Sequence, residues 1–131
     1  MSDLQDVERL AATLPDVTEG VRHDHRTWVV AGKVFAWERP FSKADVKRFA
    51  HEPVPPGPIL ALVTDGLEEK EALLQAHPEH LFMIPHFNNY AAVLLHLEST
   101  DEAGLREALE DAWMVHAEAD VARRYLERRE P

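Results

Sequence analysis

Two strongly β-prone segments that flank a two-residue turn constrain the fold more than any other feature of the chain. The segments are 27–31 and 34–38, and Gly32-Lys33 lies between them. Glycine in the first position of a two-residue loop favours a type II′ turn, which closes an antiparallel hairpin. The sequence therefore predicts an antiparallel sheet, with Lys33 at an exposed hairpin tip.

The register of this hairpin is predicted from its large side chains. A turn at 32–33 pairs Val30 with Phe35 and Trp28 with Trp37, which places all four on one face of the sheet. A turn one residue earlier would scatter them over both faces, so the first register is favoured.

Capping signals, helical spacing of apolar residues and prolines divide the rest of the chain. Capping boxes are predicted at Ser2-Asp3-Leu4-Gln5 and Ser99-Thr100-Asp101-Glu102, and Asp65-Gly66-Leu67-Glu68 is expected to cap a helix that carries Leu67, Leu73 and Leu74. The expected elements are a helix over 4–14, the hairpin, a short helix over 42–49, a proline-rich loop over 52–58, a strand over 59–63, a helix from 65 that stops before Pro78, strands over 81–84 and 92–97, a long helix opened by the capping box at 99–102 and a last helix around 121–126.

This order of elements predicts the fold class. Strands that are neighbours in sequence pair with one another while helices bracket them, which is typical of an α+β fold with an antiparallel sheet and helices packed on one face. A chain of 131 residues, of which 45% are hydrophobic and 29% charged, is long enough for its own core. We expect a single domain over residues 1–131.

Several functional classes are disfavoured by the sequence. The chain has no cysteine, which excludes disulfides and thiol catalysis. Neither a glycine-rich phosphate loop nor a Gly-x-Ser-x-Gly motif occurs, so we expect a protein that is not an enzyme and has no cofactor. The first residues lack the basic and apolar regions of a signal peptide, and no apolar run could cross a bilayer, so a cytoplasmic protein without membrane contact is expected.

A basic segment stands out in an acidic chain and is the first candidate site. The formal net charge is −10, yet residues 22–48 contain seven basic and three acidic residues, a local net of +4. Cationic side chains beside a protruding hairpin are suited to phosphate contacts. The candidate nucleic-acid-binding residues are Arg22, Arg26, Lys33, Arg39, Lys43, Lys47 and Arg48.

The link between the last two predicted strands is the second candidate site. Polar side chains here could line a small-ligand pocket with apolar walls, with candidates His86, Asn88, Asn89 and Tyr90. Asparagines also adopt turn conformations readily, and this second interpretation of the link, as a tight connection, is favoured.

Eight histidines raise the question of a metal site. His23 and His25 would share a strand face, and His77, His80 and His86 cluster around Glu79. Neither set has a recognised metal-binding spacing, so no metal site is predicted.

Several segments, taken in order, resemble the MmcQ/YjbR family. They are Leu14-Pro15-Asp16-Val17-Thr18-Glu19-Gly20, the hairpin from Val30 to Ala36, Glu71-Ala72-Leu73-Leu74 with Pro78 and Phe82, Pro85, the strand Ala92 to Leu97, and the stretch from Leu105 to Trp113. The resemblance implies a frataxin-like (CyaY-like) α+β fold. It also implies a DNA-binding module that uses hairpins as a double wing, without agreed catalytic residues.

Two functions are thus carried forward from the sequence. The leading one is DNA binding through the basic segment 22–48. The alternative is a small-ligand or protein-interaction module centred on the 85–90 link, with no DNA binding.

Overall fold

A computed structural model describes residues 2–22, 25–39, 58–84, 87 and 89–129 of the chain. The strands are β1 (Val17–Arg22), β2 (His25–Val30), β3 (Lys33–Glu38), β4 (Ile59–Val63), β5 (Leu81–Phe82) and β6 (Ala92–His96). The helices are α1 (Leu4–Ala11), α2 (Gly66–Ala76), α3 (Glu102–His116) and α4 (Ala119–Arg129), with a 3-10 turn at Leu97–Ser99 before α3. The helix predicted over 42–49 and the proline-rich loop up to residue 57 lie outside the described residues.

Within the described part of the chain, six strands form one antiparallel sheet in the order β1-β2-β3-β4-β6-β5. The first four strands follow the order of the sequence, and β6 inserts between β4 and β5. At the centre, Leu60 lies opposite Leu95 and Ala61 opposite Leu94. The predicted α+β class with an antiparallel sheet is confirmed.

The tip of the β2–β3 hairpin differs from the favoured prediction. Val30 pairs with Lys33, so the turn is formed by Ala31 and Gly32 rather than by Gly32 and Lys33. Both central residues have positive φ, at 52° and 78°, as a type I′ turn requires. The turn therefore lies one residue earlier than predicted, and the partner of Val30 is Lys33 instead of Phe35, although Lys33 is exposed as expected.

A β-bulge explains how the large side chains are still buried in this register. The pairing shifts between Trp28 and Val29, so that Trp28 lies opposite Ala36. Phe35 and Ala36 are adjacent in sequence, yet both are fully buried in the same hydrophobic cluster. An extra residue in one arm of a hairpin allows this, because it interrupts the alternation of side chains. Trp37 consequently faces the other side of the sheet, against the prediction.

Strand β1 was not predicted from the sequence. It pairs along its length with β2, from Val17 opposite Val30 to Arg22 opposite His25. As an edge strand it is largely exposed, and Val21 in particular is 69% exposed. Its residues show no alternation of apolar and polar side chains, which is the signal by which half-buried strands are recognised.

The hydrophobic core lies mainly between the sheet and the helices. Apolar residues of α1 and α3, including Val7, Leu109 and Trp113, pack with Trp28 and Phe35 of the hairpin. The opposite face of the sheet has a smaller cluster, formed by Ile59, Ala61, Ile84, Phe87, Ala92 and Leu94, with Trp37 and Phe82 packed against it. Ile84 and Phe87 thus pack on the face opposite to the main core.

The helix caps follow the predicted positions only approximately. Asp3, not Ser2, caps α1 and exchanges hydrogen bonds with Asp6, whereas the Ser2 hydroxyl donates to the Thr100 carbonyl oxygen at 2.7 Å. Asp101 caps α3 by accepting from the Gly104 amide at 2.7 Å. Acidic side chains also interact favourably with a helix N-terminus.

The predicted cap of α2 is not formed by its side chain. Asp65 precedes the helix without a side-chain capping hydrogen bond, and Leu67 is 50% exposed rather than packed. None of the helices described is both long and apolar enough to span a membrane.

Candidate functional site: a basic and aromatic groove

Three residues from the two candidate sites predicted from the sequence, Arg22, Arg39 and Tyr90, lie in one groove. The groove has a volume of about 380 Å³ and is lined by Arg22, His25, Thr27, Val34, Trp37, Glu38, Arg39 and Tyr90. Arg22 and Arg39 come from the predicted basic segment, and Tyr90 comes from the link before β6. They converge because β1, β2 and β3 are neighbours in the sheet, while Phe87 and Tyr90 lie against Trp37.

Two aromatic rings, those of Trp37 and Tyr90, line this groove, and the ring of Phe87 packs against both. Trp37 stacks on Phe87 with ring centroids 6.5 Å apart, and Tyr90 meets Trp37 edge-on at 6.3 Å. Phe87 is buried, but Tyr90 is 53% exposed. Aromatic pairs in such geometries hold each other in place. The two rings therefore present a fixed aromatic surface to the groove, on the face of the sheet opposite to the one predicted for Trp37.

Arg39 extends this aromatic surface with a positive charge. Its guanidinium carbon lies 5.8 Å from the centre of the Phe87 ring, within the range of a cation–π contact. A smaller hollow of about 240 Å³ is lined by Trp37, Arg39, Phe87 and Tyr90. Arg39 thus belongs to both hollows and joins them.

Lys70 of α2 fixes the loop that carries Phe87 and Tyr90. Its side chain is only 4% exposed, and its amine donates to the Phe87 carbonyl oxygen and, at 2.7 Å, to the Tyr90 carbonyl oxygen. Burial lowers the pKa of Lys70 below its ordinary value of 10.5. Sequence reasoning missed this residue, although a lysine spaced three and four residues from Leu73 and Leu74 was a signal.

Arg26 and Lys33, both predicted to contact nucleic acid, lie elsewhere. Arg26 forms ion pairs with Glu8 and Glu19, and its guanidinium lies over the Trp28 ring. The hydrogen bonds to Glu19, followed by those to Glu8, raise the pKa of Arg26. Its charge is therefore largely compensated within the protein.

Lys33 at the hairpin tip lies on the side of α3. The pKa of His116 is lowered by burial and by the charge of Lys33, so the two residues are near each other. Of the remaining candidates, Asn89 is exposed, while Lys43, Lys47, Arg48, His86 and Asn88 lie outside the described residues.

A second cavity, of about 420 Å³, lies between α2, β5 and α3 on the helix-covered side. His77, Glu79 and His80 come together at its rim, whereas His86 and His23 of the predicted histidine sets are not described. Asp111 lies in the same cavity, and partial burial of its carboxyl, together with Glu107, Glu69 and Glu110, raises its pKa even though the residue as a whole is exposed.

Comparison with known proteins gives consistent results. The YjbR family model matches residues 12–115. The uncharacterised protein Rv2570 of Mycobacterium tuberculosis is 34% identical over 129 residues, which cover 96% of this chain and 97% of that protein, and protein Mb2600 of Mycobacterium bovis matches equally well. The crystal structure of Deinococcus radiodurans protein DR2400, which has a DUF419 domain, matches with a TM-score of 0.63 and 20% identity over 97% of this chain and 89% of that one.

Proposed function

The chain belongs to the YjbR family, and on that premise we propose that it binds single-stranded DNA in the groove lined by Arg22, Trp37, Arg39 and Tyr90. The observation that carries the proposal is the convergence of two arginines with the half-buried Trp37 and the exposed Tyr90 in one concave surface. Arginine contacts phosphate through charge and hydrogen bonds, and aromatic rings stack on bases. Proteins that bind single strands combine these two features.

The acidic character of the whole chain limits this binding to the groove. The net charge of −10 repels a polyanion from the rest of the surface. Two arginines imply about two phosphate contacts, and for a single strand this gives a slope of log affinity against log salt of about −1.4. We therefore expect weak binding with a shallow salt dependence, unlike that of an extended basic surface.

Duplex binding by the hairpin as a wing is a different interpretation, and the structure offers less support for it. Lys33 is the cation at the hairpin tip. Arg26, which also belongs to the hairpin, is already paired with Glu8 and Glu19. A wing would therefore contact the backbone of a duplex through a single lysine in this part of the chain. The groove offers two arginines and stacking surfaces, which favour a single strand.

A small planar anion is the second candidate ligand. The groove volume of about 380 Å³ lies within the range of small-molecule pockets, about 300–1,000 Å³. The anchoring of Tyr90 by Lys70 gives the preformed wall that such a pocket needs. Such a ligand would bind beside the link before β6 and would be a small molecule in place of a nucleic-acid strand.

Fluorescence anisotropy with a labelled oligothymidine tests the proposal. We expect binding at low salt that weakens about tenfold or more in Arg39→Glu, and about 5- to 150-fold in Tyr90→Ala, since stacking contributes about 1–3 kcal/mol per base. Arg123→Glu on exposed α4 is the matched charge control and should retain the wild-type affinity. Absence of binding at low salt, or equal losses in the Arg39 and Arg123 variants, would refute DNA binding at the groove.

Two further measurements separate the alternatives. Lys33→Glu should leave the affinity for the single strand unchanged, and a loss of duplex binding in this variant would favour the wing instead. A mononucleotide that binds as tightly as the oligonucleotide would favour the small-ligand pocket.

A further inference from the structure

We propose that His77, Glu79 and His80 form a binding site for a divalent transition metal ion of the zinc type. The site lies at the rim of the cavity between α2 and α3, on the helix-covered side of the sheet, and is independent of the proposed DNA groove. One ligand atom of each side chain lies within 4.8 Å of the others. Imidazole nitrogen and carboxylate oxygen are the ligand types that such ions prefer among residues other than cysteine.

The distances within this cluster are close to those of a metal centre. The Glu79 Oε1 atom lies 3.3 Å from Nδ1 of His80 and 3.8 Å from Nδ1 of His77. Metal–ligand bonds of about 2.0–2.2 Å in a tetrahedral arrangement separate neighbouring ligand atoms by about 3.3–3.5 Å. Two edges of the ligand triangle thus need to change by about half an ångström or less.

Backbone hydrogen bonds of a tight turn hold the ligands in position. The amide of His77 donates to the Leu73 carbonyl oxygen at 3.0 Å, which ties the first ligand to the end of α2. The amides of His80 and Leu81 both donate to the His77 carbonyl oxygen, at 3.3 and 2.9 Å. The two imidazole rings are thereby stacked with centroids 5.3 Å apart. A site whose ligands come from one fixed turn requires little reorganisation to bind an ion.

The His80 ring is largely buried beside the N-terminus of α3. The His80 side chain is 11% exposed, and a Cβ added at Gly104 would lie 3.8 Å from its Cε1 atom. The same Cβ would lie 3.0 Å from the Oδ1 atom of Asp101, the residue that caps α3. The absence of a side chain at 104 therefore matters for the Asp101 cap, while the His80 ring lies at an ordinary contact distance from the helix.

The surrounding cavity suits a cation with an open coordination position. Three carboxylates also line it, those of Asp101, Glu107 and Asp111, and make its electrostatic potential negative. Its volume of about 420 Å³ has space for water molecules beside the three protein ligands. Three protein ligands and one solvent position are typical of zinc sites that are not purely structural.

Isothermal titration of the metal-free full chain with Zn²⁺ tests this site. We expect one equivalent to bind to the wild type, with an affinity at least tenfold lower in His80→Ala and in the nearly isosteric Glu79→Gln. Titration with Co²⁺ should produce visible d–d absorption that both variants lose. Mg²⁺ should not compete, because it prefers oxygen ligands in octahedral geometry.

His25→Ala is the matched control, since it removes a histidine that lines the groove instead. It should bind Zn²⁺ as the wild type does, and Zn²⁺ should raise the melting temperature of the wild type and of His25→Ala but not that of His80→Ala. Wild-type affinity in both His80→Ala and Glu79→Gln, or no binding to the wild type, would overturn the proposal. Neither result would bear on DNA binding at the groove.

Discussion

At the scale of single residues, the buried amine of Lys70 fixes the loop that carries Tyr90. Replacement of Lys70 by methionine keeps most of the side-chain volume but leaves the carbonyl groups of Phe87 and Tyr90 without this donor. These oxygens still accept hydrogen bonds from the amides of Tyr90 and Ala92, so the cost is that of a lost hydrogen bond to a charged group, about 1.5–3 kcal/mol. We expect Lys70→Met to lower the free energy of unfolding by this amount, measured by urea denaturation, whereas the exposed control Lys33→Met should change it by less than about 0.5 kcal/mol.

The pH dependence of this effect follows from the lowered pKa of Lys70. Between that lowered pKa and 10.5 the unfolded chain binds more protons than the folded chain, so the wild type gains stability as the pH rises across this alkaline range. Lys70→Met has no such gain. The deficit of the variant should therefore be larger above pH 10.5 than at pH 7, and an equal deficit at both values would contradict the role of burial.

At the scale of elements, the β2–β3 turn places an alanine where asparagine is preferred. Ala31 has a φ of 52°, which costs a residue with a Cβ atom about 1–2 kcal/mol. Asparagine tolerates this conformation, and Asn-Gly is the favoured sequence of a type I′ turn. We expect Ala31→Asn to raise the stability by about 0.5–1 kcal/mol in thermal denaturation.

Gly32→Ala tests the second central residue of the same turn. Nothing lies within 4 Å of a Cβ atom at position 32, so its φ of 78° alone should make the variant less stable, by about 1 kcal/mol. With a turn at 32–33 instead, Ala31 would be a strand residue and asparagine there would be unfavourable. A destabilised Ala31→Asn variant would thus contradict the type I′ turn.

The same elements show what the sequence could and could not predict. Apolar spacing identified α1 and α3, because a buried helix stripe repeats with a helical period. The apolar spacing missed β1, an exposed edge strand. It also favoured the wrong turn, because it assumes that adjacent strand residues lie on opposite faces, whereas a bulge permits both to be buried. Side-chain alternation assumes a regular ladder, and the hairpin is not regular.

At the scale of the whole molecule, the negative charge of the chain is concentrated outside the groove. Glu107 and Asp111 are one helical turn apart on α3, and Glu107 contributes to the raised pKa of Asp111. Salt shortens the Debye length from about 30 Å at 0.01 M to about 8 Å at 0.15 M and so weakens repulsion between like charges. We expect the melting temperature to rise by about 2–4 °C over this range.

Asp111→Asn should be more stable than the wild type at low salt and should gain less from added salt. A like-charge pair of this spacing costs about 0.2–0.5 kcal/mol, which sets the size of the effect. A melting temperature that falls with salt would instead indicate that attractive pairs such as Arg9 with Glu102 dominate.

The candidate groove also belongs to this scale, since no local pattern could have predicted it. Arg22, Arg39 and Tyr90 were each identified from the sequence, but as parts of two separate sites. Their convergence depends on the strand order of the sheet and on the loop that Lys70 holds over it. Residue type can be read locally, whereas the neighbours of a residue depend on the fold.

Because of the bulge in the hairpin, β3 tolerates a change in its number of residues less well than a change of residue type. A deletion of one residue from this strand would restore a regular ladder, in which Phe35 and Ala36 would point to opposite faces. Phe35 would then leave the core, while Trp37 would keep its place opposite Thr27. Insertions and deletions here would thus damage the core, while many single substitutions on the exposed positions would not.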